Sequence, residues 1–192
     1  MRALKVIGLA LLMVFVVQGR TSAEMPDISA DETYFDIFRG VYVLKGNVHV
    51  AANNHNFKAI VTADEAIVSV VNQKCWVEGD VKLTQDDITF SCERAYLQWQ
   101  TKIAEVTGNV QFENKKSVAI TSDTAVFNWQ DKIVDFYGKV KLKADKKVKL
   151  AEGVTLDGKD YQHIKYNLVE DKLLALDKTF DAPEIVIPSV EG

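Results

Sequence analysis

A chain of 192 residues with 47% apolar content is long enough to bury one substantial core, which argues against a disordered chain. Its formal net charge of −4 argues against nucleic acid as a partner, because phosphate binding calls for clustered positive charge. Two cysteines are too few for a disulfide scaffold.

At the N-terminus, Arg2 and Lys5 precede an apolar run from Val6 to Val17, and Thr21-Ser22-Ala23 supplies small residues before Glu24. This is the layout of a secretory signal peptide. The run is 12 residues long, short of the roughly 20 that span a bilayer as a helix. Export with cleavage of residues 1–23 is therefore the main reading, and a retained membrane anchor is the alternative. Without residues 1–23, 20 basic against 27 acidic residues leave a charge of −7. After export, Cys75 and Cys92 meet an oxidising compartment, where they either bond or serve as buried small apolar residues.

From Asp31 onward the chain is written in a repeat of about 30 residues, in the range of repeat architectures. Asp31 precedes Gly46, Asp64 precedes Gly79, Glu93 precedes Gly108 and Asp123 precedes Gly138, each by 15. Within each unit the apolar residues alternate, as in half-buried strands. Ala66, Val68 and Val70 share one face, as do Ala95, Leu97 and Trp99, and Ala125, Phe127 and Trp129. The residues between them, Ile67 and Ser69, Tyr96 and Gln98, Val126 and Asn128, fall on the water-tolerant face. Polar breaks at Asn72-Gln73-Lys74, Gln100-Thr101-Lys102 and Gln130-Asp131-Lys132 read as hairpin turns. Each glycine, followed by Asn, Asp or Lys, reads as a tight II′ turn or a sheet corner, because glycine takes a positive φ without steric penalty. Beyond it, Val48 and Val50, Val81 and Leu83, Val110 and Phe112, and Val140 and Leu142 share a face again. The repeat decays after Glu152. A last hairpin runs through Tyr166 and Leu168 to Leu173 and Leu176, and residues 177–192 form a tail that either adds an edge strand or stays mobile. The expected organisation is thus a signal peptide over 1–23, a repeated β-domain over 24–176 and the tail.

Catalytic chemistry finds little support. His49, His55 and His163 have no metal-ligand spacing with one another or with the cysteines, and no serine sits in a nucleophile elbow. No cofactor, metal or catalytic residue is assigned. The acids Asp31, Asp64, Glu93, Asp123 and Glu152 invite comparison with acid–base pairs or a calcium file, yet a repeated structural position capping a bend accounts for them more simply.

The aromatic residues Trp99, Trp129, Phe112, Phe127 and Phe136 fall on the inner face, where an ordinary β-protein simply buries them. A meander of hairpins with one apolar face must also fold over on itself, and the trough it encloses can take apolar chains from outside. On that reading the channel lining is Val48, Val50, Ala66, Val68, Val81, Leu83, Leu97, Trp99, Val110, Phe112, Phe127, Trp129, Phe136 and Leu142.

Thr62-Ala63-Asp64, Gly46-Asn47-Val48, the interval of 15, the 30-residue period and the exporting N-terminus resemble the OstA-like family, over roughly Ile28 to Leu176. Departures are Gly79-Asp80, Gly138-Lys139, Glu93 and the eroded last unit. The resemblance implies an all-β fold of repeated antiparallel hairpins, a twisted open β-jelly roll with an apolar interior. It further implies a periplasmic protein of outer-membrane biogenesis that shields the acyl chains of lipopolysaccharide or a related lipid. Its implied partners are an ATP-driven inner-membrane transporter complex, an outer-membrane receptor and further copies of itself joined end to end through exposed strand edges. The alternatives are a membrane-anchored relative of the same fold and a structural envelope adaptor that binds no lipid.

Overall fold

The computed structural model of the chain describes residues 27–54, 57–115 and 117–189. The expected signal peptide, residues 1–23, and His55 lie outside them. Among the described residues there is no helix. Twelve strands run in chain order as β1 (Asp27–Ser29), β2 (Glu32–Asp36), β3 (Val41–Asn54), β4 (Phe57–Ser69), β5 (Lys74–Gln85), β6 (Ile88–Gln98), β7 (Ile103–Asn114), β8 (Val118–Asn128), β9 (Ile133–Ala144), β10 (Lys149–Leu150), β11 (Asp160–Asn167) and β12 (Lys172–Asp177). They form one open sheet in the order β1-β3-β4-β5-β6-β7-β8-β9-β11-β12-β10, with β2 also on β3. The β10–β12 pair is parallel and every other pair is antiparallel.

Polar breaks do form the hairpin turns. Gln73, Lys102 and Lys132 occupy the left-handed region there, and each turn is tied to the next: Trp99 N donates to Gln73 O, Trp129 N to Lys102 O and Leu168 N to Lys132 O, at 3.1, 3.1 and 2.9 Å.

The repeated glycines are corners inside continuous strands, not hairpin turns. Register shifts fall between Lys45 and Val48, Glu78 and Val81, and Thr107 and Val110, where the glycine and its successor are both left-handed. A II′ turn has only one such residue, and consecutive residues of this kind mark a bulge that bends the strand. The extra residue is on the glycine strand, where Gly79-Asp80 oppose Glu93 alone and Gly108-Asn109 oppose Asp123 alone, so that the acid strand steps by an odd number there. Inward burial passes from Cys92 to Ala95 and from Ser122 to Ala125, with Glu93 and Asp123 exposed between them. A step of three in a period of two would turn the remaining side chains outward unless the strand bent at that point; the bend keeps one apolar face inside along the whole strand.

These corners fold the sheet over itself. Register places Phe112 level with Leu142 on β9, through Ile120, and Tyr166 level with Val134. Eight residues of extended strand would separate the two by about 26 Å, yet the Phe112 and Tyr166 ring centroids are 5.5 Å apart. The main core fills the space between the two half-sheets, with Val50, Ala66, Val68, Val110, Ile120, Phe136 and Tyr166 all at 0% exposure.

Three residues depart from the expected inner or outer burial. Val70 is exposed, because it sits at a turn with no preceding repeat turn to cover it, beside the short hairpin joining β2 to β3. Ile67 and Tyr96, on the outer face, are buried. Val41, Val43 and Ile67 form a second small cluster against Trp76. The C-terminal tail, which beyond Asp177 adopts no strand among the described residues, runs back across the outer face and seals that side. Phe180 stacks on His163 and Tyr137, and the Trp76 Nε1–H donates to Pro188 O at 2.9 Å.

Candidate functional site

A cavity of 130 Å³ lies between the folded half-sheets, with an almost wholly apolar wall. It is lined from one strand end by Ile88 and Gln85, beside the β5–β6 turn, and from the other by Leu168 and Val169, beside the β11–β12 turn, so it reaches the seam where opposite strand ends meet. Five of the expected lining residues, Val81, Leu83, Leu97, Phe112 and Phe127, face it. The other nine, Val48, Val50, Ala66, Val68, Trp99, Val110, Trp129, Phe136 and Leu142, lie in the same core without lining the void. The expected lining left out Val61, Val77, Ile88, Phe90, Val106, Val134 and Leu168 together with three small inward residues. Cys92, Ala95 and Ala104 line the cavity, and a void persists where inward side chains are too short to meet.

Phe112 is the hub of the C-terminal wall. Its ring lies 6.5 Å from Phe90, 5.6 Å from Phe136 and 5.5 Å from Tyr166. Behind this wall a polar group ties the strand ends together: Asn114 Nδ2 donates to the Tyr166 hydroxyl at 3.1 Å, and both Tyr166 and Ser117 donate to Asp171 Oδ1. Burial and then the Asp171 contact push the Tyr166 hydroxyl up to about 12, so it stays a donor. Beyond it, β10 pairs with Lys172 and Leu173 of β12 and closes the sheet locally.

The acid–glycine pairs make the corners. Asn47 Nδ2 donates to Asp31 Oδ2 at 2.9 Å and Asn109 Nδ2 to Glu93 Oε1 at 2.5 Å. A Cβ at Gly79 would lie 2.2 Å from Asp64 Oδ2. The carboxylates therefore cap bends one strand away, and the constant interval of 15 is the path around one hairpin.

Cys75 and Cys92 are free and buried. Cys75 stands opposite Leu97, five residues from Cys92 along β6, about 17 Å of extended strand against the 4.4–6.8 Å Cα separation of a disulfide. Burial pushes both thiols up, Cys92 to about 12, which keeps them protonated and unreactive. His163 is held between Asp135 and Asp177 on the outer face. Among the described residues no group of three His, Cys, Asp or Glu is placed to hold a metal.

The profile of the OstA-like protein family matches residues 66–168, more than half of the chain. In fold the chain is similar to the crystal structure of LptH, the LptA-homologous periplasmic component of the conserved lipopolysaccharide transport device from Pseudomonas aeruginosa. The TM-score is 0.51 at 12% identity, over 74% of this chain and 94% of that one, a likeness of fold alone. No curated protein matches. The family profile, the β-jelly roll and the acid–glycine corners repeated at 15 residues agree, and the chain belongs to the OstA-like protein family.

Proposed function

We propose that this protein is a non-enzymatic periplasmic carrier that shields the acyl chains of lipopolysaccharide or a related lipid on its way from inner to outer membrane. The observation that carries the reading is the apolar cavity opening on an unclosed seam. Acyl chains enter through the seam while sugars and phosphates stay outside. The cavity is close to the engineered 150 Å³ void that accepts one benzene, so a longer chain has to part the half-sheets. Ten buried methylenes supply about 8 kcal/mol toward that opening. The fold shared with a component of a lipopolysaccharide transport device supports both compartment and cargo. The proposed domain is residues 24–176, made after removal of 1–23, and its partners are an inner-membrane transporter complex and an outer-membrane receptor, met through strand edges.

Replacement of Phe127 by a photo-crosslinking phenylalanine analogue tests this in cells, with Val126, on the opposite face of β8, as the control position. A lipid adduct at 127 and none at 126 is expected. Folded protein with no adduct at 127 and no co-purified lipid by mass spectrometry would replace the carrier by an envelope adaptor, a reading favoured by the nine expected lining residues that pack without facing the void. Intact mass of the envelope protein decides the N-terminus: a mature chain starting at Glu24 is expected, and retention of Met1 to Val17 would identify the membrane-anchored relative.

A further inference from the structure

Net charge conceals a concentrated basic surface. β9 exposes Lys139, Lys141 and Lys143 in alternation with buried Val140 and Leu142, and Lys146, Lys147 and Lys149 continue the exposed row into β10. Lys115 approaches it from the β7–β8 turn, whose Ser117 carbonyl accepts from Asp145 N at 2.7 Å. Lys159 approaches from the start of β11, its carbonyl accepting from Leu142 N at 2.9 Å. Four acids border the row: a Cβ on Gly138, beside Lys139, would lie 2.8 Å from Asp123 Oδ2, Asp145 stands within the row, Asp160 is opposite Lys141, and Glu113 is level with Lys143 across β8. Among the described residues none of the six lysines from 139 to 149 forms an ion pair. On a chain of net −4 the lysines of this surface still outnumber the acids that border them, and the local positive excess is not cancelled by acids beyond a Debye length of about 8 Å.

We propose that this face is a docking surface for an anionic lipid bilayer. The β9 lysines alone span about 13 Å of strand, a broad array suited to many headgroups at once, and clusters of four to eight lysines at a membrane surface bind anionic lipid. Leu156 stands exposed in the β10–β11 connection that leads to Lys159, 45% accessible, an apolar side chain suited to the boundary between headgroups and acyl chains. The cluster holds no arginine and no aromatic ring, the groups that fork onto a phosphodiester or stack on bases, which favours a lipid surface over nucleic acid. The proposal is independent of what the interior carries.

Flotation of the full chain with vesicles tests it, using phosphatidylcholine alone or mixed two to one with phosphatidylglycerol, at low and high salt. The apolar segment Val6–Val17 is present in every variant and acts on both vesicle types. Binding to the anionic vesicles should exceed binding to neutral ones and fall with salt. Each lysine near the surface is worth about fivefold, so the K143E/K146E/K147E triple should weaken that increment at least about a hundredfold, while K143R/K146R/K147R keeps it. The K74E/K82E/K102E triple carries the same change of net charge elsewhere and should retain binding. Equal binding to both vesicle types, no loss in the first triple, or equal loss in the control triple would each overturn the proposal. Duplex DNA bound as tightly as the anionic vesicles would overturn it in favour of a general phosphate surface.

Discussion

Gly108 shows how much a single position can decide in this fold. Its φ is 83°, that of Asn109 is 46°, and a Cβ on Gly108 would lie 2.4 Å from Glu93 Oε2 and 2.7 Å from Glu93 Cβ. Valine there meets a forbidden backbone region and a clash together. Gly108→Val should lower stability by about 2–3 kcal/mol, a fall in Tm of roughly 5–10 °C for a domain of this size. Gly158→Val, where the nearest atom stands 3.6 Å away, should change it little; equal melting curves for Gly108→Val and wild type would sink the corner assignment. His163 carries the pH dependence. Burial works against its charged form, but hydrogen bonds to Asp135 at 2.8 Å and Asp177 at 2.7 Å outweigh that and hold its pKa above the ordinary 6.5. Lys165, 3.6 Å from Asp135, and the stacked Tyr137 and Phe180 rings complete its surroundings. A pKa raised on folding means that the stabilisation is fully present below pH 6.5 and is lost as pH rises through the folded value. Thermal melts across that window should show stability declining with pH in wild type and a flatter profile in His163→Gln; identical profiles would remove His163 as the cause.

At the scale of the element, the C-terminal tail is held by ring stacking of Phe180 and by the Trp76 to Pro188 hydrogen bond. Stacking contributes about 0.5–1.5 kcal/mol and the hydrogen bond about 1. Ending the chain at Thr179 should therefore lower Tm by several degrees and shift Trp76 emission to the red; an unchanged spectrum would mean that the tail does not seal this face. The tail was not legible in the sequence because its seat, Ile67, Trp76 and Tyr96, occupies the alternation that faces water in an ordinary hairpin. The strands were legible for the opposite reason. A bend in every strand needs a permissive backbone at the same register, so Gly46, Gly79, Gly108 and Gly138 recur with their acids at a fixed interval. What the interval meant was harder to see, since a glycine followed by Asn reads equally as a turn between strands or a bend within one. The interior was legible as a face but not as a void. Period two places Phe127 and Leu97 inside, whereas the cavity depends on how far Ala95, Ala104 and Cys92 fall short of the opposite sheet. The lysine row escaped because a sum over the chain averages it against acids on other faces.

The two ends of the whole molecule are unequal. At the C-terminal end β10 already covers Lys172 and Leu173 of β12, and Leu174 is skipped in the pairing of β12 with β11, which passes from Ala175 to Leu173. A proline at Leu174 would thus strike a bulge and test edge pairing poorly. At the N-terminal end β1 and β2 lie along β3, no strand among the described residues pairs with their other side, and Tyr34, Phe35, Ile37 and Phe38 are exposed. An uncovered edge offers backbone donors and acceptors to another chain, so association with further copies should grow with concentration and should depend on this edge. Phe35→Pro removes a backbone N–H and fixes φ, while Phe35→Ser removes the ring and keeps the N–H. If copies join by strand pairing, the proline variant should lose concentration-dependent crosslinking and the serine variant should retain most of it, with lipid binding preserved in both because the cavity is lined from β4 onward. Circular dichroism must first show that both variants fold. Equal loss in the two would shift the contact from the backbone edge to the exposed rings, and undiminished crosslinking in a folded Phe35→Pro would remove the N-terminal edge from the assembly altogether.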